Sequence, residues 1–463
     1  MATVQPVQVR AGRGVELGLL VLALAVGWAA YALVGLGTTD RIPADAVWYG
    51  VGMAALAFGM HAVLRWRAPY ADPVILPTVV ALNGVGLAMI QRLDVAKEAK
   101  GVVADFGAKQ LVWTTISLAL AAGVLVLLRD HRTLRRYTYT AMVVALALLV
   151  SPLVPGIGRE VYGARIWVRI AGVGLQPAEL AKIALAVFFA GYLVTHRETL
   201  TLAGPKVLGV QLPRLRDLGP IVVVWGLSLA VLVFQRDLGT SLLLFGLFVA
   251  MLYLATERVS WVIIGVLLFA AGAMGAASAL PHVGSRFDAW LDALSPEQYD
   301  RAGGSWQLVQ GLFGLANGGL FGTGWGQGRP DIVALAESDF IVTALGEELG
   351  LTGLAAILVL YAVLTERGLR TAIGVRDGFG KLLAGGLAFV MAFQVFVVVG
   401  GVTRVIPLTG LTTPFLAYGG SSLLANWVIV ALLLRISDDA RRPAPAVRTA
   451  AGDDRPTERV SLP

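Results

Sequence analysis

Recurring apolar runs constrain this chain more than any other feature. About twelve stretches approach the ~20 residues needed to cross ~30 Å of hydrocarbon at 1.5 Å per residue. Their cores lie near 15–36, 46–64, 73–91, 110–128, 138–153, 177–195, 218–234, 238–255, 260–280, 340–364, 380–400 and 412–435. The expected fold is an all-α polytopic membrane protein. Composition agrees: 57% of residues are hydrophobic before the 55 glycines are counted, and only 14% are charged, against about 25% in soluble domains. Soluble globular and disordered classes are excluded together, since the first needs a solvated surface and the second a polar chain. Cysteine is absent, which removes disulfides, thiol chemistry and cysteine-ligated metals, and the 4 histidines leave little for a His-rich metal site. The first run is too long, and too closely followed by others, for a cleaved signal peptide, so it is expected to remain in the mature protein.

The net charge of +7 is an orientation signal and calls for no nucleic-acid partner. With the N-terminus in the cytoplasm, about 23 of the 37 basic residues fall on the inner side, including RDHRTLRR at 129–136, which predicts cytoplasmic N- and C-termini. Residues 1–13 and 437–463 read as cytoplasmic tails, 14–66 as two N-terminal transmembrane helices and 73–436 as the transmembrane core. One long connection, 281–339, then faces outward, and a loop of that length in an otherwise economical bundle is expected to be functional.

Polar residues inside such a bundle need a partner or a task. In GARIWVRIAGVGLQPAELAK (163–182), Pro177 suits the first turn of a helix with Gln176 at the cap. Glu179 and Lys182, three apart, share a face, with Lys182 about 9 Å into the helix. They form either a structural ion pair or the lining of a cavity for an anionic ligand, to which Arg165 and Arg169 would contribute from the outer side. In FQRDLGTS (234–241), Asp237 is placed to cap the next helix. In DFIVTALGEELGLTG (339–353), Asp339 lies at the outer edge. Glu347 and Glu348 point about 100° apart, so at most one is expected to face a shared cavity. PLTGLTTPFLAYGGSSLLANW (407–427), with Ser421, reads as a broken helix entrance whose backbone approaches a ligand or a neighbouring helix, and Arg404 just before it as a phosphate contact. The long loop carries Asp288, Asp292, Glu297 and Asp300, then an amphipathic stretch (Trp306, Val309, Gln310, Phe313), then a glycine-rich run. Asp300 stands out because a flexible RAGG separates it from a segment able to lie on the bilayer.

Together these segments resemble the SEDS family (shape, elongation, division and sporulation), which includes RodA, FtsW and SpoVE. The family's GARxW…QPxELxK resembles Gly163 to Lys182, and its QPDLGTS resembles Gln235 to Ser241. The D…YQ…GGLFGxGxG run resembles Asp300 through Gly326, TDFIF…GEELG resembles Ser338 to Gly350, and PLPFxSYGGSS resembles Thr413 to Ser422. Five motifs in order over residues 75–436 make the signal strong. Departures are Ile166 for the second Arg of GARRW, Arg236 for the Pro of QPDLG, Trp306 for the Tyr of YQ, and Glu337-Ser338 for His-Thr. These forms, with VTRVIPLTGLTTP at 402–414, look closer to RodA-like members of actinobacterial type than to division-specific ones.

The resemblance implies a ten-helix bundle, here preceded by two helices, that polymerises lipid II into glycan strands. It implies Asp300 as the catalytic carboxylate and a class B penicillin-binding protein transpeptidase as partner, in the bacterial cytoplasmic membrane. Single displacement of undecaprenyl diphosphate, with inversion, needs one base at the attacking hydroxyl and positive charge at the leaving diphosphate. Arg165, Arg169, Lys182, Arg236 and Arg404 are the candidate cations. No cofactor is assigned, and a divalent ion (Mg or Mn) bridging diphosphate and carboxylate is left open. Substrate contacts are expected from Arg165, Arg169, Gln176, Glu179, Lys182, Asp237, Glu347, Arg404 and Ser421. The rival readings are a lipid II flippase, another polytopic transporter with the 196–217 connection as its central loop, and a non-catalytic scaffold.

Overall fold

The computed structural model describes residues 12–161, 163–170, 172–201, 206–207, 210–211 and 215–443. Its long helices are α1 (Arg13–Thr39), α2 (Ala46–Arg67), α3 (Ile75–Glu98), α4 (Phe106–Leu127), α5 (Thr138–Val150), α6 (Pro177–Thr201), α7 (Leu215–Gln235), α8 (Leu238–Thr256) and α9 (Val259–Ala279). Three shorter ones follow, α10 (Pro281–Leu291), α11 (Pro296–Tyr299) and α12 (Trp306–Gly318), then α13 (Ile341–Gly374), α14 (Gly378–Val402) and α15 (Gly420–Arg441). Among the described residues 11 helical segments are long and apolar enough to span a bilayer, and the apolar part of α7, Val222–Gln235, supplies a shorter twelfth. The chain is a multi-pass membrane protein of nearly all-helical fold, as expected.

Burial sorts the helices into layers. The apolar windows of α3, α6, α14 and α15 are 83%, 78%, 72% and 83% buried, whereas that of α9 is 6% buried. The first four form the core, and α9 turns nearly all of its apolar surface outward, as a helix solvated by lipid does. α1 lies along α3, and where they cross, a methyl group on Gly84 would sit 2.9 Å from the Gly27 Cα. This small-residue contact brings two backbones together with no bulk between them.

Successive helices reverse direction, so the chain has an arginine-rich end and a loop end. At the first, Arg441 meets Asp72 at 2.8 Å, Arg13 binds Glu16 and the Ala71 carbonyl, and Glu16 meets His61 at 2.6 Å. Both described chain ends therefore lie on the same side of the bundle. The expected tails are shorter than read. Arg13 belongs to α1, and α15 runs on to Arg441 because Ser437 and Asp438 are buried and accept hydrogen bonds from the Asp72 and Tyr70 amides. Residues 1–11 and 444–463, the rest of those tails, lie outside the described residues, as does Arg214 of the 196–217 connection.

The 281–339 connection is folded rather than a free loop, carrying α10 to α12 and their own apolar contact of Ala293, Leu308 and Val309. The expected amphipathic stretch is α12. The other addition at the loop end is a small antiparallel sheet, β1 (Gly158–Val161), β2 (Ala164–Ile170) and β3 (Val173–Leu175), ordered β1-β2-β3. A two-residue pairing, β4 (Lys206–Val207) with β5 (Val210–Gln211), lies in the α6–α7 connection.

Candidate functional site

The site is built where α6 and α8 begin, under α10 and against the extended segment 403–419. Pro177 opens α6 as expected. The Gln176 amide before it donates to Ser421 Oγ at 2.9 Å, tying α6 to the first turn of α15. One turn further, Lys182 Nζ donates to Glu179 Oε2 at 2.6 Å and to Gln394 Oε1 at 2.9 Å. Gln394 in turn donates to the Thr412 carbonyl at 2.8 Å. Lys182, Glu179 and Gln394 are all buried. Buried polar groups of this kind need hydrogen-bond partners of complementary chemistry, which this triad supplies.

Asp237 caps α8, accepting from the Thr240 amide at 2.9 Å, while its second oxygen is buried with no protein partner. Burial raises the carboxyl pKa, the two Thr240 hydrogen bonds oppose that, and Glu179 lies close enough to add to the rise. Asp237 thus joins Glu179 and Lys182 in one polar cluster. Arg286, from α10, faces the same cluster and donates to the Leu408 carbonyl at 3.0 Å. Half-buried Asp339 stands across from it. Burial pushes its carboxyl up to about 6, with Ser338 and Arg286 pulling the other way. A carboxyl whose pKa rises on folding binds its proton more tightly in the folded state, so its contribution is lost as pH rises through about 6. Asp339→Asn is therefore expected to raise the thermal midpoint at pH 7.5, with the gain shrinking as pH falls from 6 toward 4. Melting curves of both proteins across that range check it, and a gain independent of pH would contradict it.

The catalytic candidate, Asp300, sits at the C-terminal end of α11 with its residue exposed. The turn that carries it is tight. Gly304 packs where a side chain would collide with the Gln298 carbonyl, and the Ser305 amide donates to that same carbonyl at 2.9 Å. Buried Ser305 reaches the Ala293 carbonyl at 2.6 Å, and Gln310 on α12 donates to the Tyr299 hydroxyl at 2.8 Å. Asp300 is thus an exposed carboxylate on a firmly held turn, separate from the buried cluster.

Three other expectations need correction. Arg404 does not point free to a phosphate: its Nε and Nη2 donate to the Trp290 and Leu291 carbonyls, each at 2.7 Å, and Trp290 Nε1 returns a bond to the Arg404 carbonyl at 3.1 Å. It fastens α10 to the 403–419 segment. Glu347 faces no open cavity, being buried and accepting from Asn317 Nδ2 at 3.1 Å and the Arg329 amide at 2.9 Å. Glu348 accepts from Arg92 Nε at 2.8 Å and the Gly326 amide at 2.9 Å. Both adjacent carboxylates engage the same glycine-rich loop, because that loop wraps the helix and α13 breaks from helical geometry at Gly350, where φ is 69°.

Arg165 is exposed and paired with Glu160 at 2.9 Å. Arg169, also exposed, lies two positions beyond Trp167 on β2, so Arg165, Trp167 and Arg169 share one face of the strand. This face lies outside the buried cluster, and Arg236 Nη1 links sheet to hairpin through the Gly163 carbonyl at 3.3 Å.

Two members of the site escaped the sequence reading. Gln394 is a lone amide in an otherwise apolar span, LLAGGLAFVMAFQVFVVVGG, and that isolation was the available signal. Arg286 follows His282 by one helical turn, a spacing legible only once 281–291 is taken as a helix. As for a divalent ion, the described residues bring three His, Asp or Glu ligand atoms together only at His131, Asp377 and Asp439. That group lies at the arginine-rich end, where Arg132 already pairs with both carboxylates at 3.3 and 2.9 Å. Asp300 belongs to no such group, so the residues there do not form a protein metal site.

The model of the family described as cell cycle protein, FtsW/RodA/SpoVE, matches residues 73–442, leaving α1 and α2 ahead of it. The peptidoglycan glycosyltransferase RodA of Mycobacterium tuberculosis is 48% identical over 433 residues, 93% of this chain and 92% of that protein. Its counterpart in Mycobacterium leprae is 47% identical over 433 residues, 93% of this chain and 91% of that one. Stage V sporulation protein E of Bacillus subtilis is 32% identical over 380 residues, 80% of this chain and 98% of that protein.

 Among solved structures, a chain from a study of structural coordination of polymerization and crosslinking by a peptidoglycan synthase complex matches with TM-score 0.62 at 24% identity, over 81% of this chain and 99% of that one. The Thermus thermophilus rod shape determining protein RodA matches with TM-score 0.56 at 24% identity, over 81% and 98%. These structural likenesses concern the fold.

Proposed function

The chain belongs to the cell cycle protein family of FtsW, RodA and SpoVE, and from that premise we propose that it is a peptidoglycan glycosyltransferase. It polymerises lipid II at the outer face of the bacterial cytoplasmic membrane, with both chain ends in the cytoplasm. The observation that carries the reading is the loop-end arrangement: an exposed carboxylate, Asp300, on a fixed turn, and at the same end of the bundle a separate buried polar cluster of Glu179, Lys182, Asp237 and Arg286.

Asp300 serves as general base. It takes the proton from the acceptor sugar hydroxyl as that oxygen attacks the anomeric carbon of the growing chain, and undecaprenyl diphosphate leaves from the opposite face. Positioned bases of this kind contribute about 10²–10⁴-fold. No covalent sugar intermediate forms, so one carboxylate suffices. A divalent ion at this point would draw its ligands mainly from the diphosphate and water, and no step here depends on it.

The partner is a class B penicillin-binding protein transpeptidase. An apolar groove of about 600 Å³ between α13 and α14, lined by Leu358, Tyr361, Leu369, Val395 and Phe396 among others, supports a seat there for a partner's membrane helix.

The deciding experiment is glycan synthesis from purified lipid II by the purified protein, alone and with its transpeptidase. Polymer of many disaccharides is the expected product. Movement of lipid II across vesicles without polymer would favour the flippase reading instead.

A further inference from the structure

We propose that Arg286, on α10, is the residue that holds the diphosphate of the lipid carrier, with Arg236 as the outer cation of the same subsite. The inference rests on the transferase reading and names the cation that the reading requires.

Three of the five expected cations are engaged elsewhere. Lys182 is held by Glu179 and Gln394, Arg404 by two α10 carbonyls, and Arg165 by Glu160. Arg169 is exposed on the sheet, outside the buried cluster. Arg286 differs from all of these. Its Nη1 donates to the Leu408 carbonyl at 3.0 Å, and Nε and Nη2 have no protein partner among the described residues. Asp237 and Asp339 lie in electrostatic range and offset the loss of charge that burial favours, without closing on the guanidinium as ion pairs among the described residues. The result is a charged, partly desolvated guanidinium with two donors free. That fork matches a phosphate group bidentately, and its weak hydration makes such a site less costly for arginine than for lysine.

The surroundings favour an anion further. His282, one turn before Arg286 on α10, has a buried Nε2 with no partner. Its pKa is lowered by burial first and then by Arg236 and Arg286, so both arginines bear on the same spot. The backbone is also fixed there. Segment 408–411 packs on the start of α8, with a methyl group on Gly239 falling 2.9 Å from the Thr409 carbonyl, so the carbonyl that orients Arg286 cannot drift. Asp300 lies at the C-terminal end of α11, the short helix that follows α10.

The test uses the full chain in detergent or nanodiscs, comparing wild type, Arg286→Lys and Arg286→Gln. Binding of undecaprenyl diphosphate and of undecaprenyl monophosphate is measured by competition, alongside KM for lipid II. Wild type is expected to prefer the diphosphate by at least about tenfold, the size of one charge-assisted contact. Arg286→Gln should lose that preference and raise KM by a similar factor, and Arg286→Lys should retain part of it, since an ammonium can still donate to the Leu408 carbonyl. A merely structural role would lower the thermal midpoint and both affinities together. An Arg286→Gln protein that folds and keeps the diphosphate preference overturns the proposal. The two readings fail separately: wild type that grips diphosphate through Arg286 but never makes glycan would sink the transferase reading and leave the subsite standing.

Discussion

Replacing Asp300 by alanine or asparagine is expected to lower lipid II polymerisation by about 10²–10⁴-fold, the range for loss of a positioned general base. Folding should be unaffected, with stability changing by no more than about 0.5 kcal/mol, as for surface substitutions away from packed features. Both halves follow from where the residue sits. Asp300 is exposed, and the bond that fixes its place runs from its backbone amide to the Pro296 carbonyl at 3.0 Å, which neither substitution disturbs. The neighbours that hold the turn, Ser305 and Gln310, bond to Ala293 and Tyr299 and never to the carboxylate. Asparagine keeps the size and polarity of aspartate and removes only its basicity, so it isolates proton transfer from packing. Polymer yield from purified protein and a melting curve on the same sample decide the matter. Near wild-type synthesis by Asp300→Asn would reject the assignment. A scaffold that merely recruits a partner would tolerate either change.

The spans were legible because the bilayer imposes a length and an apolar composition that local sequence must meet on its own. Asp237 as a helix cap and the Glu179–Lys182 pair were legible for a related reason, since both depend on residues three apart. What the sequence concealed lies across long separations. Gln394 meets Lys182 over 212 positions, and Arg92 meets Glu348 over 256. No window along the chain contains both partners. The sheet at 158–175 was visible in principle, since Arg165, Trp167 and Arg169 alternate with Ile166 and Val168 in a period of two. In a chain of membrane spans those arginines read instead as contacts for an anionic ligand. Helix geometry gives the directions of Glu347 and Glu348 but not their surroundings. Adjacent side chains do point apart, yet a loop rich in glycine bends closely enough to reach both, its Gly322 lying where any side chain would collide with the Glu348 carbonyl.

Lys182→Met alone is expected to destabilise the protein by about 3–5 kcal/mol, the cost of leaving one partner of a buried ion pair uncompensated. Glu179 is 5% exposed and Lys182 1%, so neither charge has water to fall back on. The double variant Glu179→Gln, Lys182→Met removes both charges at once. It is expected to recover most of the lost stability, because replacing a whole buried pair by neutral groups is often neutral or stabilising. Gln394 keeps its bond to the Thr412 carbonyl in that background. Activity is where the two readings of the pair part. If the pair only braces α6 against α14, the double variant should polymerise lipid II as wild type does. If its charge is part of the field around Asp237, to which Glu179 lies close, a well-folded double variant should still lose about tenfold or more, as when charge near a reacting group is removed. The second outcome is the expected one. Asp237 has a buried oxygen with no partner, and a protein that tolerates such a group beside an ion pair, where apolar side chains would pack as stably, is keeping charge there for use.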